Sequence, residues 1–190
     1  MVISFPLYLG ILGALAAERG LELYIARRNA ARAFAAGAVE AGERHYRAMV
    51  IVHAAFLVSC AAERAIRGHG APPIIASIAI AAELGAQLLR YWVIFTLGAR
   101  WNTRIIVLPG AKPVTGGPFR FIRHPNYVAV AVEMAAVPMI GGAWMTAILF
   151  SIANAILMMV RIPAEERALG KPYEGALGGL PRFLPRFRHG

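Results

Sequence analysis

Five apolar runs, separated by short polar segments, constrain the fold of this 190-residue chain more than any other feature. The runs cover residues 2–17, 48–62, 71–97, 127–140 and 143–160. A helix of about 20 apolar residues crosses the hydrocarbon core of a bilayer. The alternating segments of about ten residues that a membrane barrel needs are absent. The sequence therefore predicts an all-α, polytopic helical membrane protein with about five transmembrane helices, the last two forming a hairpin.

The composition excludes several classes of protein. Hydrophobic residues make up 58% of the chain and the mean hydropathy is +0.57, which is too apolar for a disordered chain. The single cysteine, Cys60, excludes a disulfide scaffold. The formal net charge of +10 would suit a nucleic-acid partner, but a nucleic-acid-binding domain would not be this apolar. We therefore expect the bilayer, and no nucleic acid, as the surroundings of this chain.

The basic residues predict how the helices are oriented. If the chain crosses the membrane five times, sixteen of the 20 Lys and Arg residues fall on one side, and only Arg64 and Arg67 lie in the loops of the other. Because cytoplasmic loops carry the excess of Lys and Arg, we expect an N-terminus outside and a C-terminus in the cytoplasm. The Arg-, Ala- and Gly-rich composition suggests a bacterial inner membrane. The sixteen residues are Arg27, Arg28, Arg32, Arg44, Arg47, Arg100, Arg104, Lys112, Arg120, Arg123, Arg161, Arg167, Lys171, Arg182, Arg186 and Arg188.

Several charged residues lie within the apolar runs, where charge is expensive and often functional. Glu83 and Arg90 are seven residues apart and share one side of a helix. We interpret them as structural, paired with each other or with neighbouring helices. His53 is interpreted as a packing residue. Glu133 lies in a run of only fourteen residues, so water or a ligand can reach it, and we predict that it contacts the substrate.

The densest polar cluster covers residues 114–127. Glycines and a proline predict a turn at 116–118, and Pro125 suits the first turn of the helix that follows. The free amides at that helix start, beside Arg120, Arg123 and His124, are suited to a carboxylate or a phosphate.

A second polar cluster follows the fifth run and contains Arg161, Glu165 and Glu166. Adjacent glutamates point to different faces of a helix, so one can hold a cationic ligand while the other caps the helix or pairs with an arginine. Spacing alone is more typical of a solvated helix next to the membrane than of a ligand site. The hairpin returns the chain to the same side of the membrane as the first cluster. A zwitterionic ligand with an α-amino acid end would satisfy both clusters.

These motifs resemble those of the isoprenylcysteine carboxyl methyltransferases, a family of integral membrane enzymes related to the phospholipid methyltransferases. The shared pattern is Gly117-Pro118-Phe119, then Arg123-His124-Pro125-Asn126-Tyr127, a helical hairpin, and Arg161 with Glu165-Glu166. The tail from Gly170 to Phe183 is also similar. The resemblance extends from residue 96 to the C-terminus. We therefore expect one domain, 1–190, in which residues 1–95 supply N-terminal spans and 96–190 form the catalytic half.

The resemblance implies S-adenosylmethionine (SAM) as the cofactor and a cytoplasmic pocket for it. It implies catalytic roles for Arg161, Glu166 and Arg123, with Arg161 orienting an anionic acceptor. Glu165 would meet the SAM ammonium group, and Asn154, on the helix of Arg161, would contact the acceptor. The residues expected to line the cofactor pocket are Val114, Gly117, Arg123, His124 and Tyr127.

The expected acceptor is lipophilic and enters from the bilayer. It is methylated on oxygen, either a carboxylate or an acidic hydroxyl of a lipid-like or prenylated molecule. For a bacterial chain we favour a lipid-like small molecule over a prenylated protein. Two alternatives remain open: an NADPH-dependent membrane reductase of the sterol type, which shares the Arg-His-Pro-x-Tyr motif, and a non-catalytic basic membrane scaffold. The five histidines show no metal-binding spacing, so no metal is expected.

Overall fold

The computed structural model describes residues 3–185, except for the side chains of residues 43–45. The predicted start of the first run at residue 2, and Arg186, Arg188 and His189, lie outside the described residues, as does the Arg44 side chain. The described chain forms five helices and a two-stranded ribbon. The elements are α1 Phe5–Ala35, β1 Val39–Ala41, α2 Glu43–Arg67, α3 Pro73–Leu97, β2 Ile105–Val107, α4 Pro125–Gly141 and α5 Trp144–Leu177.

Three helices of the described chain are long and apolar enough to cross a membrane: Tyr46–Arg67, Pro73–Arg100 and Trp144–Leu177. The helix α4 is apolar but has 17 residues, which is about 25 Å at 1.5 Å per residue. The helix α1 has 31 residues but carries charged side chains near its middle. The prediction of a helical membrane protein is confirmed. The five-span topology and its orientation stay predictions.

Glycines end the helices where the chain must reverse. The hairpin between α4 and α5 turns at Gly142, whose φ of +78° is a left-handed conformation that favours glycine. A Cβ at Gly142 would lie 2.8 Å from the backbone nitrogen of Ala71, so the loop before α3 packs directly on this turn. The predicted hairpin is therefore present, and its turn is fixed by contact with the loop that precedes α3.

The apolar core joins α1 to α4 near the hairpin. The ring of Tyr8 is fully buried against Gly141, and its hydroxyl donates to the carbonyl oxygen of Val137 at 3.1 Å. Phe56 of α2 packs edge-on against Phe150 of α5. These contacts join α1, α2, α4 and α5, and Ala76 and Ala79 of α3 belong to the same apolar core.

The ribbon was not predicted. Val39 pairs with Val107 and Ala41 with Ile105, so the loop after α1 is joined to the loop after α3. Two amide side chains reinforce this connection: Asn29 Nδ2 donates to the carbonyl oxygen of Trp101 at 2.8 Å, and Asn102 Nδ2 donates to that of Ala26 at 3.0 Å. Segment 98–114 is therefore held against the end of α1.

The helix α5 extends well beyond the fifth apolar run. Its 34 residues would span about 50 Å, whereas the hydrocarbon core is about 30 Å thick. Its apolar part ends before Arg161, so the remainder projects from the membrane. The helix is broken at Gly170, with φ +65° and ψ −161°. Beyond the break the chain folds back, and the amides of Arg123 and His124 each donate to a carbonyl oxygen of the tail, at Pro181 and Arg182, both at 3.0 Å.

The charges within the apolar runs form a network between helices. Arg90 does not pair with Glu83. It pairs with Glu133 of α4, and its Nη1 lies 3.6 Å from Glu22 of α1. Arg19 lies 2.8 Å from Glu22. Of the alternatives for Arg90, partners on neighbouring helices are confirmed.

Glu83 has a partner for one carboxylate oxygen within its own helix, whereas its Oε2 has none among the described residues. It accepts a hydrogen bond from Gln87 Nε2 at 2.7 Å, one turn further along α3. The two charged residues of α3 therefore have separate partners, although they share one side of the helix. Their spacing of seven residues reflects a common buried face rather than a contact.

Candidate active site

A cavity of about 1200 Å³ lies between the helices and the loops that follow α1 and α3. Its middle is apolar, with walls that include Met49 and Leu57 of α2 and Leu157 of α5. One end reaches the first turn of α4 and the projecting part of α5. The ribbon and segment 99–114 form one wall, so the unpredicted strands help to enclose the site.

Three predicted residues meet in the cavity wall. Arg161 Nε donates to the Tyr127 hydroxyl at 3.0 Å, and that hydroxyl donates to Glu165 Oε2 at 2.5 Å. Arg161 Nη2 also donates to the carbonyl oxygen of Thr103 at 2.5 Å. Arg161 is only 8% exposed. The wall therefore presents a buried cation and a carboxylate side by side, and both are oriented by one phenol.

Glu166 faces away from this group and is not among the cavity-lining residues. Its carboxylate accepts from Arg123 Nη1 at 3.1 Å, from His124 Nε2 at 3.0 Å and from Arg182 Nη2 at 2.7 Å. Burial raises the pKa of Glu166, but the hydrogen bonds from Arg182 and His124 outweigh it and hold the pKa below its usual value. Adjacent glutamates do point to different faces, and this one fastens the tail to the start of α4.

The tail also supports the first turn of α4 through Tyr173. Its hydroxyl donates to the carbonyl oxygen of Arg123 at 3.4 Å, and its ring lies beside the His124 ring. Burial, with the nearby charges of Glu165 and Glu166, raises the pKa of Tyr173. The hydroxyl therefore stays protonated and remains a donor. Phe183 of the tail also lies near His124.

The other predicted cofactor residues divide into two groups. Val114, Arg123 and His124 line the cavity, but Gly117 does not. Gly117 has φ +55°, and a Cβ there would overlap the Thr96 side chain. A glycine is needed at this position because the turn is tight and packs on α3. The turn positions the residues that follow it, but Gly117 itself does not line the cavity.

The two predicted substrate residues also differ. Asn154 is buried and lines the cavity, and its only hydrogen bond recorded among the described residues runs from Nδ2 to Met158 Sδ at 3.7 Å. Glu133 is 3% exposed, paired with Arg90, and absent from the cavity wall. Water and ligands therefore do not reach Glu133 in this conformation, because its short helix is covered on the charged side by α1 and α3.

Sequence reasoning missed several residues of the cavity wall. Arg19, Glu22 and Arg90 line its inner part together with His53. Intramembrane charge was the available signal, but it was interpreted as structural pairing. Segment 99–114 offered no motif that could have placed it. Within residues 3–185, no cluster of three or more His, Cys, Asp or Glu side chains could hold a metal ion.

The long apolar helices and this buried polar wall define a helical integral membrane protein with an enclosed site. Residues 78–171 match the isoprenylcysteine carboxyl methyltransferase (ICMT) family, and the chain belongs to that family. It is thus a membrane methyltransferase of the ICMT type. The matched segment begins inside α3 and includes all three residues of the Arg161–Tyr127–Glu165 group.

Two relatives cover most of the chain. An uncharacterized protein of Bacillus subtilis, YpbQ, is 39% identical over 159 residues, which are 84% of this chain and 94% of the relative. An uncharacterized protein of Haemophilus influenzae is 27% identical over 154 residues, which are 80% of this chain and 89% of that relative. The similarity therefore extends beyond the matched segment into the N-terminal helices.

Proposed function

We propose that this protein is a SAM-dependent methyltransferase that methylates an oxygen atom of a lipophilic acceptor at the cytoplasmic membrane face. The observation that carries the proposal is the Arg161–Tyr127–Glu165 group in the wall of one large, mostly apolar cavity. A cation and an anion at one end suit a zwitterionic ligand. The apolar remainder suits a lipid chain.

The residues present fit SAM. Glu165 would hold the ammonium group, since the only hydrogen bond recorded for its carboxylate in the described chain comes from Tyr127. The start of α4 has no side-chain cap, so its first amides are available to the SAM carboxylate. Arg123, Val114 and His124 line the cavity and would complete the pocket. When bound, SAM supplies a methyl group on a positively charged sulfur.

The acceptor would occupy the apolar part of the cavity, with its oxygen directed toward Arg161. A guanidinium that already holds two oxygen atoms in fixed positions is well placed to orient a third. Asn154 lies two turns before Arg161 on α5 and would hydrogen-bond the acceptor. Such positioning, rather than acid–base chemistry, is sufficient for an acceptor that is already an anion.

An apolar groove offers a route for the acceptor from the bilayer. The groove has a volume of about 800 Å³ and lies along α3 and α4, with Ile78 and Val132 in its walls. Tyr127 and Met158 line both this groove and the cavity. These two side chains therefore separate the lipid-facing groove from the site, which supports entry of a lipophilic molecule from the side.

Glu166 has no catalytic role in this proposal. Its oxygen atoms are occupied by Arg123, His124 and Arg182. We assign it instead to positioning the Arg123–Tyr127 turn. Glu133 stays a predicted substrate contact only for a conformation in which its pair with Arg90 opens.

The deciding experiment is calorimetric titration of SAM and of NADPH into the purified protein in detergent. We expect SAM to bind and NADPH not to bind; the reverse result would support the reductase alternative. Glu165→Gln should weaken SAM binding about 10- to 100-fold, because a hydrogen bond to a charged group contributes about 1.5–3 kcal/mol. Glu174→Gln is the matched control, since Glu174 is on the exposed side of the same helix.

A further inference from the structure

His53 is a partly buried histidine for which the proposed methyl transfer gives no role. It lies on α2, inside a membrane-spanning segment, and its side chain lines the cavity. Sequence reasoning interpreted it as a packing residue. The structure shows a hydrogen-bond partner for one ring nitrogen, Nδ1, so a packing role leaves the other ring nitrogen unexplained.

The hydrogen bond of the ring fixes its tautomer. His53 Nδ1 lies 2.8 Å from the carbonyl oxygen of Met49, one turn earlier on α2. A carbonyl oxygen only accepts, so Nδ1 carries the hydrogen and donates it. In the neutral ring Nε2 then carries a lone pair. Within residues 3–185, Nε2 has no recorded hydrogen-bond partner and is not among the buried polar atoms shielded from solvent.

The charges around the ring come from three other helices. Arg19 of α1, Arg90 of α3 and Arg161 of α5 line the same cavity as His53. Arg19 and Arg90 belong to a network that also includes Glu22 and Glu133. His53 therefore shares the cavity with this network and with Arg161. A neutral acceptor nitrogen in that position suits a ligand group that still carries its proton.

We propose that His53 Nε2 accepts the proton of a hydroxyl group on the methyl acceptor, so that the acceptor is a weakly acidic phenol or enol rather than a carboxylate. The inference rests on the proposed methyl transfer and names its substrate class. The O–H proton passes to Nε2, and the electron pair of that bond stays on oxygen. The oxygen then uses that pair to bond to the methyl carbon while the carbon–sulfur bond breaks. The electron pair of the carbon–sulfur bond goes to sulfur. The positive charge lost by sulfur equals the charge gained by the imidazolium.

This assignment separates the two acceptor classes left open by the sequence. A carboxylate is already ionised near neutral pH and needs only the cation of Arg161. A phenol or enol with a pKa above neutral needs a base, and a positioned base contributes about 10²- to 10⁴-fold to the rate. A histidine held in one tautomer by a backbone carbonyl meets that need.

The first test measures proton transfer without the cofactor. A dodecyl-substituted nitrophenol, whose phenolate absorbs visible light, is titrated with wild-type protein and with the His53→Phe variant in detergent. We expect saturable binding to both, and a phenolate-to-phenol ratio roughly tenfold higher on the wild type. An equal ratio on the two proteins, or no saturable binding to the wild type, would overturn the proposal.

The second test compares rates. With dodecylphenol, His53→Phe should lower kcat at least about 100-fold, and raising the pH should restore part of it, because the phenol then ionises without a base. With dodecanoic acid, an acceptor that needs no base, the same substitution should lower kcat at least tenfold less than with dodecylphenol. Equal effects on both acceptors, or turnover of the acid alone by the wild type, would contradict the assignment.

Controls distinguish this proposal from the broader one. His69→Gln, in the exposed loop between α2 and α3, changes a histidine outside the cavity and should match the wild type. His53→Phe should retain SAM binding by calorimetry and the wild-type melting temperature. If the wild type itself does not bind SAM, the methyl-transfer proposal fails. If it binds SAM and His53→Phe behaves as the wild type, only the role of His53 fails.

Discussion

The Tyr127 hydroxyl donates to Glu165 across 2.5 Å and so fastens the first turn of α4 to the part of α5 that leaves the membrane. The same oxygen accepts from Arg161 Nε at 3.0 Å. One phenol thus orients both the anion and the cation of the site.

Tyr127→Phe should weaken SAM binding while preserving the fold. Without the hydroxyl, Glu165 and Arg161 lose their common partner, and Glu165 is free to turn away from the ammonium position. We expect an affinity loss of about tenfold, measured by calorimetry. Tyr91→Phe is the control. Tyr91 lies on the outer side of α3, donates a hydrogen bond to Glu18 of α1, and does not line the cavity. Equal affinities of Tyr127→Phe and wild type would contradict the orienting role.

Glu166→Gln should lower the melting temperature in a pH-dependent way. Because the pKa of Glu166 is held below its usual value, its stabilising effect is complete above the unfolded carboxyl pKa of about 4.3. The effect is lost as the pH falls through the lower, folded pKa. The difference in melting temperature between wild type and variant should therefore be full at neutral pH and shrink below about pH 4.

The unfolding measurements need a control substitution at a carboxylate for which no ion pair is recorded. Glu174→Gln serves, because Glu174 is exposed and no salt bridge is recorded for it in the described chain. Its melting temperature should follow that of the wild type at every pH. A constant difference for Glu166→Gln from neutral pH to below pH 4 would show that the carboxylate charge is not what holds the tail.

Arg90→Met should destabilise the bundle strongly. Among the described residues, the substitution leaves the buried Glu133 with one salt-bridge partner, Arg19, 3.9 Å away. Breaking a buried pair costs about 3–5 kcal/mol because a charge is left uncompensated. Thermal unfolding in detergent should show a marked loss, and the double variant Arg90→Met, Glu133→Leu should recover much of it. If Arg90→Met alone were as stable as the wild type, the charge network would not contribute to the stability of the bundle.

Cysteine labelling should reveal the orientation of the chain. In a Cys60→Ala background, His69→Cys places a thiol in the loop between α2 and α3, and Lys112→Cys places one in the loop after α3. The basic loops predict that a membrane-impermeant maleimide labels position 69 on intact cells. Position 112 should react only after permeabilisation. The opposite pattern would invert the proposed topology and place the SAM site outside.

The helices could be predicted because lipid leaves few choices for an apolar run. Each run became a helix, and the hairpin turned at Gly142 as its glycines indicated. The helix that carries Glu165 and Glu166 was expected, but its continuation to Leu177 was not, because polar residues beyond Arg161 carry no membrane signal yet continue a helix in water. The ribbon was missed because three-residue strands contain too few positions to show a period.

The site residues could be predicted where they belong to short sequence motifs. They could not be predicted where their function depends on a partner that is distant in the sequence. Tyr127, Arg161 and Glu165 were named from short motifs, and the structure brings them together. Spacing did not distinguish Glu165 from Glu166, and the motif resemblance gave Glu166 a catalytic role rather than a contact with the tail, because its partner Arg182 lies far along the chain. Similarly, the pair of Arg90 with Glu133 depends on how α3 packs on α4, which spacing within α3 cannot show.

The backbone bonds from Arg123 and His124 to residues 181 and 182 make the start of α4 depend on a segment 58 positions further along the chain. All five helices lie before residue 178, so the contacts between helices do not need the tail. The turn that begins α4 has its backbone partners only when residues 181 and 182 are folded against it. The helical bundle and the finished ligand pocket are therefore separable, and displacing the tail would undo the pocket while leaving the bundle.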